Sequence, residues 1–108
     1  MVDYEVYASR REHGCEGGDI TGLSIIELSK MLSSTKIIEM IEHGDRFWSN
    51  VYRNGNIIRH TRIEIEIIDD KVKGRYLRTR ADITEENNLL ELPIYSYNSD
   101  TKQYESCF

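Results

Sequence analysis

The fold is decided by residues 47–80, which read FWSNVYRNGNIIRHTRIEIEIIDDKVKGRYLRTR. Three segments of this stretch are rich in aromatic and β-branched residues, which are typical of strands, and they cover residues 47–52, 57–68 and 75–80. The first two are separated by Asn54-Gly55, a strong signal for a tight hairpin because both turn positions favour positive φ. The stretch therefore predicts three consecutive antiparallel strands.

The register of the second hairpin follows from the side-chain pattern. Isoleucine alternates with glutamate between residues 63 and 67, which predicts one apolar face on the long strand. We expect Ile65 to pair with Leu77, because a slip by one residue would put arginines on the isoleucine face, where unpaired charge is costly to bury. The preferred register sets Glu64 opposite Arg78, Arg62 opposite Arg80 and Glu66 beside Tyr76.

Upstream of this stretch, residues 33–44 predict a helix. Ser33 can cap free backbone N–H groups, and Gly44 suits the left-handed residue that ends a helix. Ile37, Ile38 and Ile41 have the spacing of one buried stripe. A helix of this length is not stable alone, so it must pack on the apolar face of the strands.

The remaining segments complete the predicted domain. Residues 4–9 alternate as a first strand, and 10–19 form a glycine-rich loop. Residues 20–28 suggest a second strand, although residues 24–28 could equally open a short helix. We predict an α+β fold, an antiparallel sheet of four or five strands with one principal helix on one face. Residues 1–95 form this single domain. The polar tail at 96–108 is compatible with either an ordered or a partly disordered segment.

Charge is distributed unevenly along a chain of net charge −5. Residues 53–81 hold eight Lys/Arg against four Asp/Glu, between two acidic ends. Internal charge complementarity is favoured over an exposed basic stripe, because charge runs are usually solvated faces. The N-terminus lacks the pattern of a secretory signal, and no run of 18 apolar residues suggests a membrane span. We therefore expect a cytoplasmic protein with free thiols at Cys15 and Cys107, a disulfide between them being possible but unsupported.

Two motifs after the third strand point to a family. They are YLRTRAD at residues 76–82 and NLLELP at 88–93, and they follow IEHG at 41–44 and Phe47-Trp48. In this order they resemble the signature of a family of short bacterial and archaeal proteins known as a domain of unknown function. The resemblance covers residues 20–95 and implies a small α+β domain, with no activity attached.

The second motif also has a structural interpretation of its own. Asp82 directly follows a strand, where its carboxylate can accept hydrogen bonds from the next turn, and Asn87 and Asn88 can do the same. The leucines that follow can cover the sheet. We favour this structural turn motif over a catalytic role, because such residues are ordinary at turns.

Two groups of residues could bind a ligand. Arg59, Arg62, Arg78 and Arg80 form a candidate anion or nucleic-acid surface with aromatic residues nearby, although cross-strand pairing with glutamates competes with this role. His13 and Cys15 could bind a soft metal, but nothing in the spacing of Cys107, His43 or His60 completes a ligand set. No catalytic or phosphate-binding motif is present, and no cofactor is implied.

Three classes of function remain. The leading hypothesis is a non-enzymatic binding or accessory module that contacts another protein or a second copy of itself, since a small open sheet has edges that can pair. The second is an anion or nucleic-acid binder that uses the arginine-bearing strands. The third is a metal or thiol site at His13 and Cys15. Which ligand or partner is bound stays open at this point.

Overall fold

The structure is a computed structural model that describes residues 1–80 and 87–107. Within these ranges the chain forms eight strands, one helix and two short 3₁₀ turns. The elements are β1 (Asp3–Arg11), β2 (Ile20–Ile25), β3 (Lys30–Ser33), α1 (Ser34–Glu42), β4 (Arg46–Arg53), β5 (Asn56–Asp70), β6 (Gly74–Thr79), β7 (Tyr95–Asn98) and β8 (Gln103–Ser106), with the 3₁₀ turns at Gly14–Glu16 and Asn88–Glu91.

Six of the described strands form one mixed sheet in the order β3-β2-β1-β4-β5-β6. The β1–β4 pair is parallel, with Asp3 opposite Arg46, whereas the other pairs are antiparallel. The predicted α+β fold with an antiparallel sheet of four or five strands is therefore wrong: the chain is mostly strand, and the sheet curls into a half-barrel. The parallel pair joins distant segments, and no local turn signals such a pairing.

The curl of the sheet comes from irregular strand pairing. The β1–β2 register shifts between Val6 and Ala8, and the β4–β5 register shifts between Ser49 and Val51. Extra residues in one strand of a pair bend that strand and increase its twist. The half-barrel packs around the helix, and the buried core combines residues of five strands, the helix and the second 3₁₀ turn, namely Val6, Leu23, Ile25, Ile37, Phe47, Ile65, Leu77 and Leu89.

The predicted helix is confirmed as α1. The Ser33 hydroxyl accepts a hydrogen bond from the Lys36 amide at 3.1 Å, and Gly44 follows the helix with φ of +103°. Ile37 and Ile38 are buried, as the stripe predicts. Strand β3 has four residues and runs directly into α1. A pattern this short cannot be distinguished in the sequence from the residues that cap the helix.

The β5–β6 hairpin keeps the predicted faces but not the predicted partners. Ile65 pairs with Thr79, and Leu77 pairs with Ile67, so the predicted Ile65–Leu77 register is wrong by two residues. A shift by two preserves the side-chain parity. The turn is shorter than expected, because the Asp70 carboxylate accepts hydrogen bonds from the amides of Val72 and Lys73 at 2.8 and 2.9 Å.

The last described residues form a hairpin that is held to the domain. Strands β7 and β8 pair with each other, and Cys107 is joined to Cys15 by a disulfide with a Cα–Cα distance of 5.5 Å. The prediction of free thiols is therefore wrong. The two cysteines are 92 residues apart, so the bond depends on tertiary structure that their spacing does not reveal.

Candidate functional site

The most exposed part of the sheet is the first half of β5. Each of the residues 56–62 is exposed, on both faces of the strand, and we call this segment the basic arm. Strand β6 pairs with β5 between Ile65 and Asp70, so among the described strands the basic arm pairs with β4 alone. Its outer edge therefore presents backbone groups that another strand could pair with.

The tip of the hairpin that carries the basic arm is well anchored. Asn54 and Gly55 have φ of +49° and +82°, as the predicted tight turn requires. The Gly55 amide donates to the Glu91 carbonyl at 2.8 Å, and the Asn54 amide donates to the Glu91 carboxylate at 2.9 Å. The arm is thus presented by a fixed turn, which reduces the conformational entropy lost when a partner binds.

Two of the predicted arginines lie on the basic arm. The Arg62 guanidinium lies 5.2 Å from the centroid of the Trp48 ring, a cation–π distance, and the Trp48 indole N–H donates to the Asp3 carboxylate at 3.2 Å. Arg59 is exposed and forms no ion pair with a described residue. Sequence position 56–62 contains no acidic residue, so the arm is positively charged.

The other two predicted arginines have different surroundings. Arg80 forms ion pairs with Glu64 at 3.0 Å and with Glu66 at 3.5 Å. Arg78 donates from Nε to the Thr79 carbonyl at 3.3 Å and lines a cavity beside β6. The four arginines are thus divided among the arm, a cross-strand ion-pair cluster and a cavity, and the structure does not bring them together at one site.

The cavity has a volume of about 440 Å³ and lies along the outer edge of β6. The described residues that line it are Asp19, Ile20, Lys73, Arg75, Tyr76, Leu77, Arg78, Asn87 and Leu90. Three of these residues are basic and one is acidic. The nearby Arg11 donates to the Gly18 carbonyl at 2.8 Å, and its pKa is lowered by burial although the charge of Asp19 raises it.

Asn87, from the predicted turn motif, lines this cavity and is bonded to the end of β6. The Asn87 Oδ1 atom accepts hydrogen bonds from the amides of Thr79 and Leu89, both at 3.1 Å, and its Nδ2 atom donates to the Leu77 carbonyl at 3.5 Å. The Asn88 amide donates to the Thr79 hydroxyl at 2.9 Å. Asp82, the third residue of that motif, lies outside the described residues.

The predicted metal or thiol site does not assemble a ligand set in the described part of the chain. The sulfur of Cys15 is bonded to Cys107, and His13 lies 3.9 Å from the Glu12 carboxylate. Residues 1–80 and 87–107 contain no group of three or more His, Cys, Asp or Glu side chains placed to hold a metal ion. A thiolate ligand at Cys15 would require reduction of the disulfide.

Comparison with known families identifies the domain. The family model DUF3892, whose description is a protein of unknown function, matches residues 5–93. The chain belongs to the DUF3892 family. The sequence-based resemblance to a family of unknown function is confirmed at that level, whereas the bacterial or archaeal origin and the motif signature stay predictions.

No curated protein and no solved structure matches the chain. The match covers the basic arm and the cavity and ends before the β7–β8 hairpin and Cys107. None of the described helices of this DUF3892 protein has the length and apolar character needed to cross a bilayer.

Sequence reasoning missed both the exposure of the basic arm and the cavity. One signal for the arm was present, because the predicted strand at 57–68 is far longer than its partner at 75–80. The residues of the longer strand that have no partner on the shorter strand must extend beyond its end. The cavity had no such signal, because Asp19 and Ile20 meet β6 through the curl of the sheet and not through their position in the chain.

Proposed function

We propose that this DUF3892 protein is a non-enzymatic binding module that takes up an extended, acidic segment of a partner protein along the basic arm. The observation that carries the proposal is a seven-residue strand segment exposed on both faces, with one described strand beside it. An extended segment that adds to such an edge gains main-chain hydrogen bonds, and alternate side chains of the strand give specificity.

The apolar residues of the arm support a protein partner. Ile57 is 41% exposed and Ile58 is 54% exposed. Neighbouring residues in a strand point to opposite faces, so each face of the arm presents one isoleucine. Exposed apolar side chains gain free energy when a partner's side chains cover them, which a purely electrostatic ligand does not provide.

The charge of the arm argues for a different protein as partner and against a second copy. Antiparallel pairing of two arms would place Arg59 and Arg62 among the basic residues of the other copy. Like charges on facing strands destabilise the pair. Glutamate or aspartate on the incoming strand would instead form cross-strand pairs with these arginines, each worth about 0.2–1 kcal/mol.

A second candidate function is binding of single-stranded nucleic acid on the same arm. The observation in its favour is the Arg62–Trp48 stack at 5.2 Å, next to Arg59 without an ion pair to a described residue. Aromatic rings beside arginines suit exposed bases and a phosphate backbone. The two exposed isoleucines favour the protein partner, because phosphates would leave them uncovered.

The cellular location is a separate proposal. The sequence predicts the cytoplasm, and the Cys15–Cys107 disulfide weighs against it, because disulfides persist mainly in oxidising compartments. Quenching thiols with an alkylating reagent during cell lysis, followed by mass measurement, would settle the state of the pair. We expect an unmodified disulfide, as in the structure, and an alkylated pair would instead support the cytoplasm.

The binding proposal is tested with a synthetic ten-residue peptide of alternating valine and glutamate, labelled with a fluorophore. We expect saturable binding by anisotropy, with NMR shifts of the protein concentrated in residues 56–62. The double substitution Arg59→Glu and Arg62→Glu should abolish binding. The substitution Lys71→Glu is the matched control, because Lys71 is equally basic and exposed but lies in the β5–β6 turn.

Two results would overturn this proposal. The first is binding of the valine–glutamate peptide that Lys71→Glu weakens as much as the arm substitutions do. The second is no peptide binding together with binding of an oligo-dT 20-mer whose affinity falls steeply with salt, which would establish the nucleic-acid function instead. Sedimentation of the protein alone tests the second copy, and a concentration-dependent dimer lost on Ile58→Lys would favour self-association.

A further inference from the structure

The cavity beside β6 has a chemistry that the proposed partner binding does not use. The Arg80 amide donates to the Glu64 carbonyl at 2.8 Å, which fixes the hydrogen-bonding alternation of the β5–β6 pair. In an antiparallel pair, the residues that alternate with the bonded ones turn their N–H and C=O groups away from the partner strand. Arg75, Leu77 and Thr79 therefore direct their backbone groups toward the open edge of β6.

Asn87 occupies one part of this edge and leaves another part open. Its side-chain amide bonds the Thr79 amide and the Leu77 carbonyl, much as a neighbouring strand would. Among the described residues, the Leu77 N–H and the Arg75 C=O have no hydrogen-bond partner. Both groups belong to residues that line the cavity.

The side chains around the open amide make the cavity attractive to an anion. Lys73 forms no ion pair with a described residue, and its Nζ atom lies 5.9 Å from the centroid of the Tyr76 ring. Arg78 is fixed at the cavity wall by its bond to the Thr79 carbonyl. Among the described lining residues Asp19 is the acidic one, and its charge acts on the nearby Arg11, whose pKa it raises.

Arg75 contributes less to this attraction than Lys73 does. Its guanidinium lies 2.8 Å from the Glu42 carboxylate and 3.4 Å from the Asp69 carboxylate, so its charge is already neutralised. Its role is to form part of the wall. The principal anion-binding groups among the described residues are therefore the Leu77 amide and Lys73, and the Arg78 guanidinium lies at the wall beside them.

The cavity also offers apolar surface. Leu77 is buried and Tyr76 is half-buried, while Leu90 is 51% exposed. The other leucines of its segment, Leu89 and Leu92, are 0% and 2% exposed, so Leu90 is the one that faces outward at the cavity. An apolar ligand body that covers Leu90 and the Tyr76 ring would remove this surface from water.

We propose that the cavity binds a small organic oxyanion, a carboxylate or phosphate head group on a flat apolar body, with the head group between Lys73, Arg78 and the Leu77 amide. The volume of about 440 Å³ lies within the range of ligand pockets, about 300–1,000 Å³. Guanidinium and backbone N–H groups bind both head groups, and the experiment separates these two sources.

The test uses four probes on isotopically labelled, oxidised protein. They are 2-naphthoate, 2-naphthyl phosphate, the neutral isostere 2-naphthamide and inorganic phosphate. We expect one or both of the naphthyl anions to shift the Leu77 amide resonance saturably at millimolar concentration, and we expect the neutral isostere and inorganic phosphate to bind much more weakly. The stronger of the two anions identifies the head group.

Substitutions then locate the charge. Lys73→Gln and Arg78→Gln should each weaken binding about three- to tenfold, the usual scale for one charge-assisted hydrogen bond. Lys71→Gln is the matched control, because Lys71 lies in the same turn but does not line the cavity. Lys73 is exposed and has no ion pair to a described residue, so its variant tests the site even if Arg78→Gln unfolds the protein.

Three outcomes would overturn the proposal. They are equal affinity for 2-naphthamide and 2-naphthoate, shifts that saturate elsewhere than at the β6 edge, and an equal loss of affinity in Lys71→Gln and Lys73→Gln. Because the basic arm is untouched in these variants, failure of the cavity site leaves the partner-binding proposal to its own test.

Discussion

Loss of the Cys15–Cys107 disulfide should cost this protein a large part of its stability. The bond closes a loop of 92 residues, nearly the whole chain. The loop-entropy relation for a cross-link of that span predicts a loss of about 4.6 kcal/mol in the free energy of unfolding. Domains of this size are stable by about 5–15 kcal/mol, so the reduced protein should be marginally folded.

The effect should act mainly on the unfolded chain, because other contacts hold the C-terminal hairpin in place. The Cys107 amide donates to the Ile94 carbonyl at 2.9 Å, and the Tyr7 and Tyr95 rings are 6.0 Å apart. The Arg10 guanidinium donates to the Tyr104 hydroxyl at 3.1 Å. The native structure is therefore expected to survive reduction at room temperature, while the unfolded chain expands and the urea m-value rises.

The measurement is urea unfolding followed by circular dichroism, with and without reductant. We expect the midpoint to fall by about 2–5 M urea, given an m-value of about 1–2 kcal/mol/M. The double variant Cys15→Ser and Cys107→Ser should match the reduced protein, and adding reductant to this variant should change nothing. A loss below about 1 kcal/mol, with an unchanged m-value, would refute the loop-entropy argument.

Three further predictions concern single side chains. Asn87→Ala should lower the free energy of unfolding by about 1–3 kcal/mol, because it leaves the Thr79 amide at the β6 edge without its acceptor. Asn87→Asp keeps that acceptor and should recover part of the loss in urea unfolding. An equal loss in both variants would contradict this role. Ile37→Ala should lower the free energy of unfolding by about 2–5 kcal/mol, because it leaves a cavity in the core, whereas Ile58→Ala on the exposed arm should change it by less than about 0.5 kcal/mol. Similar thermal unfolding of the two variants would show that the burial pattern is wrong. The amides of Lys73 and Val72 lower the pKa of Asp70 below its ordinary value of 3.8, so Asp70 stabilises the fold above that value and loses this effect as the pH falls through its folded pKa. The stability difference between the protein and Asp70→Asn should therefore shrink on acidification, and a difference that is constant from neutral pH to pH 2 would count against the turn geometry.

The hairpins show how far local pattern carries a prediction. The Asn54-Gly55 turn was correctly located, because positive φ at two adjacent positions is a demand that few residues meet. The faces of β5 and β6 were correct as well, since they depend on parity. The predicted partner of Ile65 was wrong, because the pairing register depends on how many residues form the turn. The Asp70 side chain shortens that turn.

The candidate sites show the same division. The arginines at 59, 62, 78 and 80 were singled out by residue type, but their environments depend on strand length, pairing and curl. The cavity lies between β6 and the residues Asp19 and Ile20, which the curl of the half-barrel brings close to that strand. The residue pattern within one segment cannot show that two distant segments come into contact.

By itself, the sequence determined the capped helix before Gly44, the tight turn at Asn54-Gly55, the apolar parity of β5 and membership in a family of unknown function. These features depend on backbone preferences and on alternation within a few residues. Only the tertiary structure decided the parallel β1–β4 pair, the curl of the sheet, the Cys15–Cys107 bond and the cavity beside β6. Each of these requires segments that are far apart in the chain to meet, and the free energy of that meeting comes from burying a shared core, which local sequence does not encode.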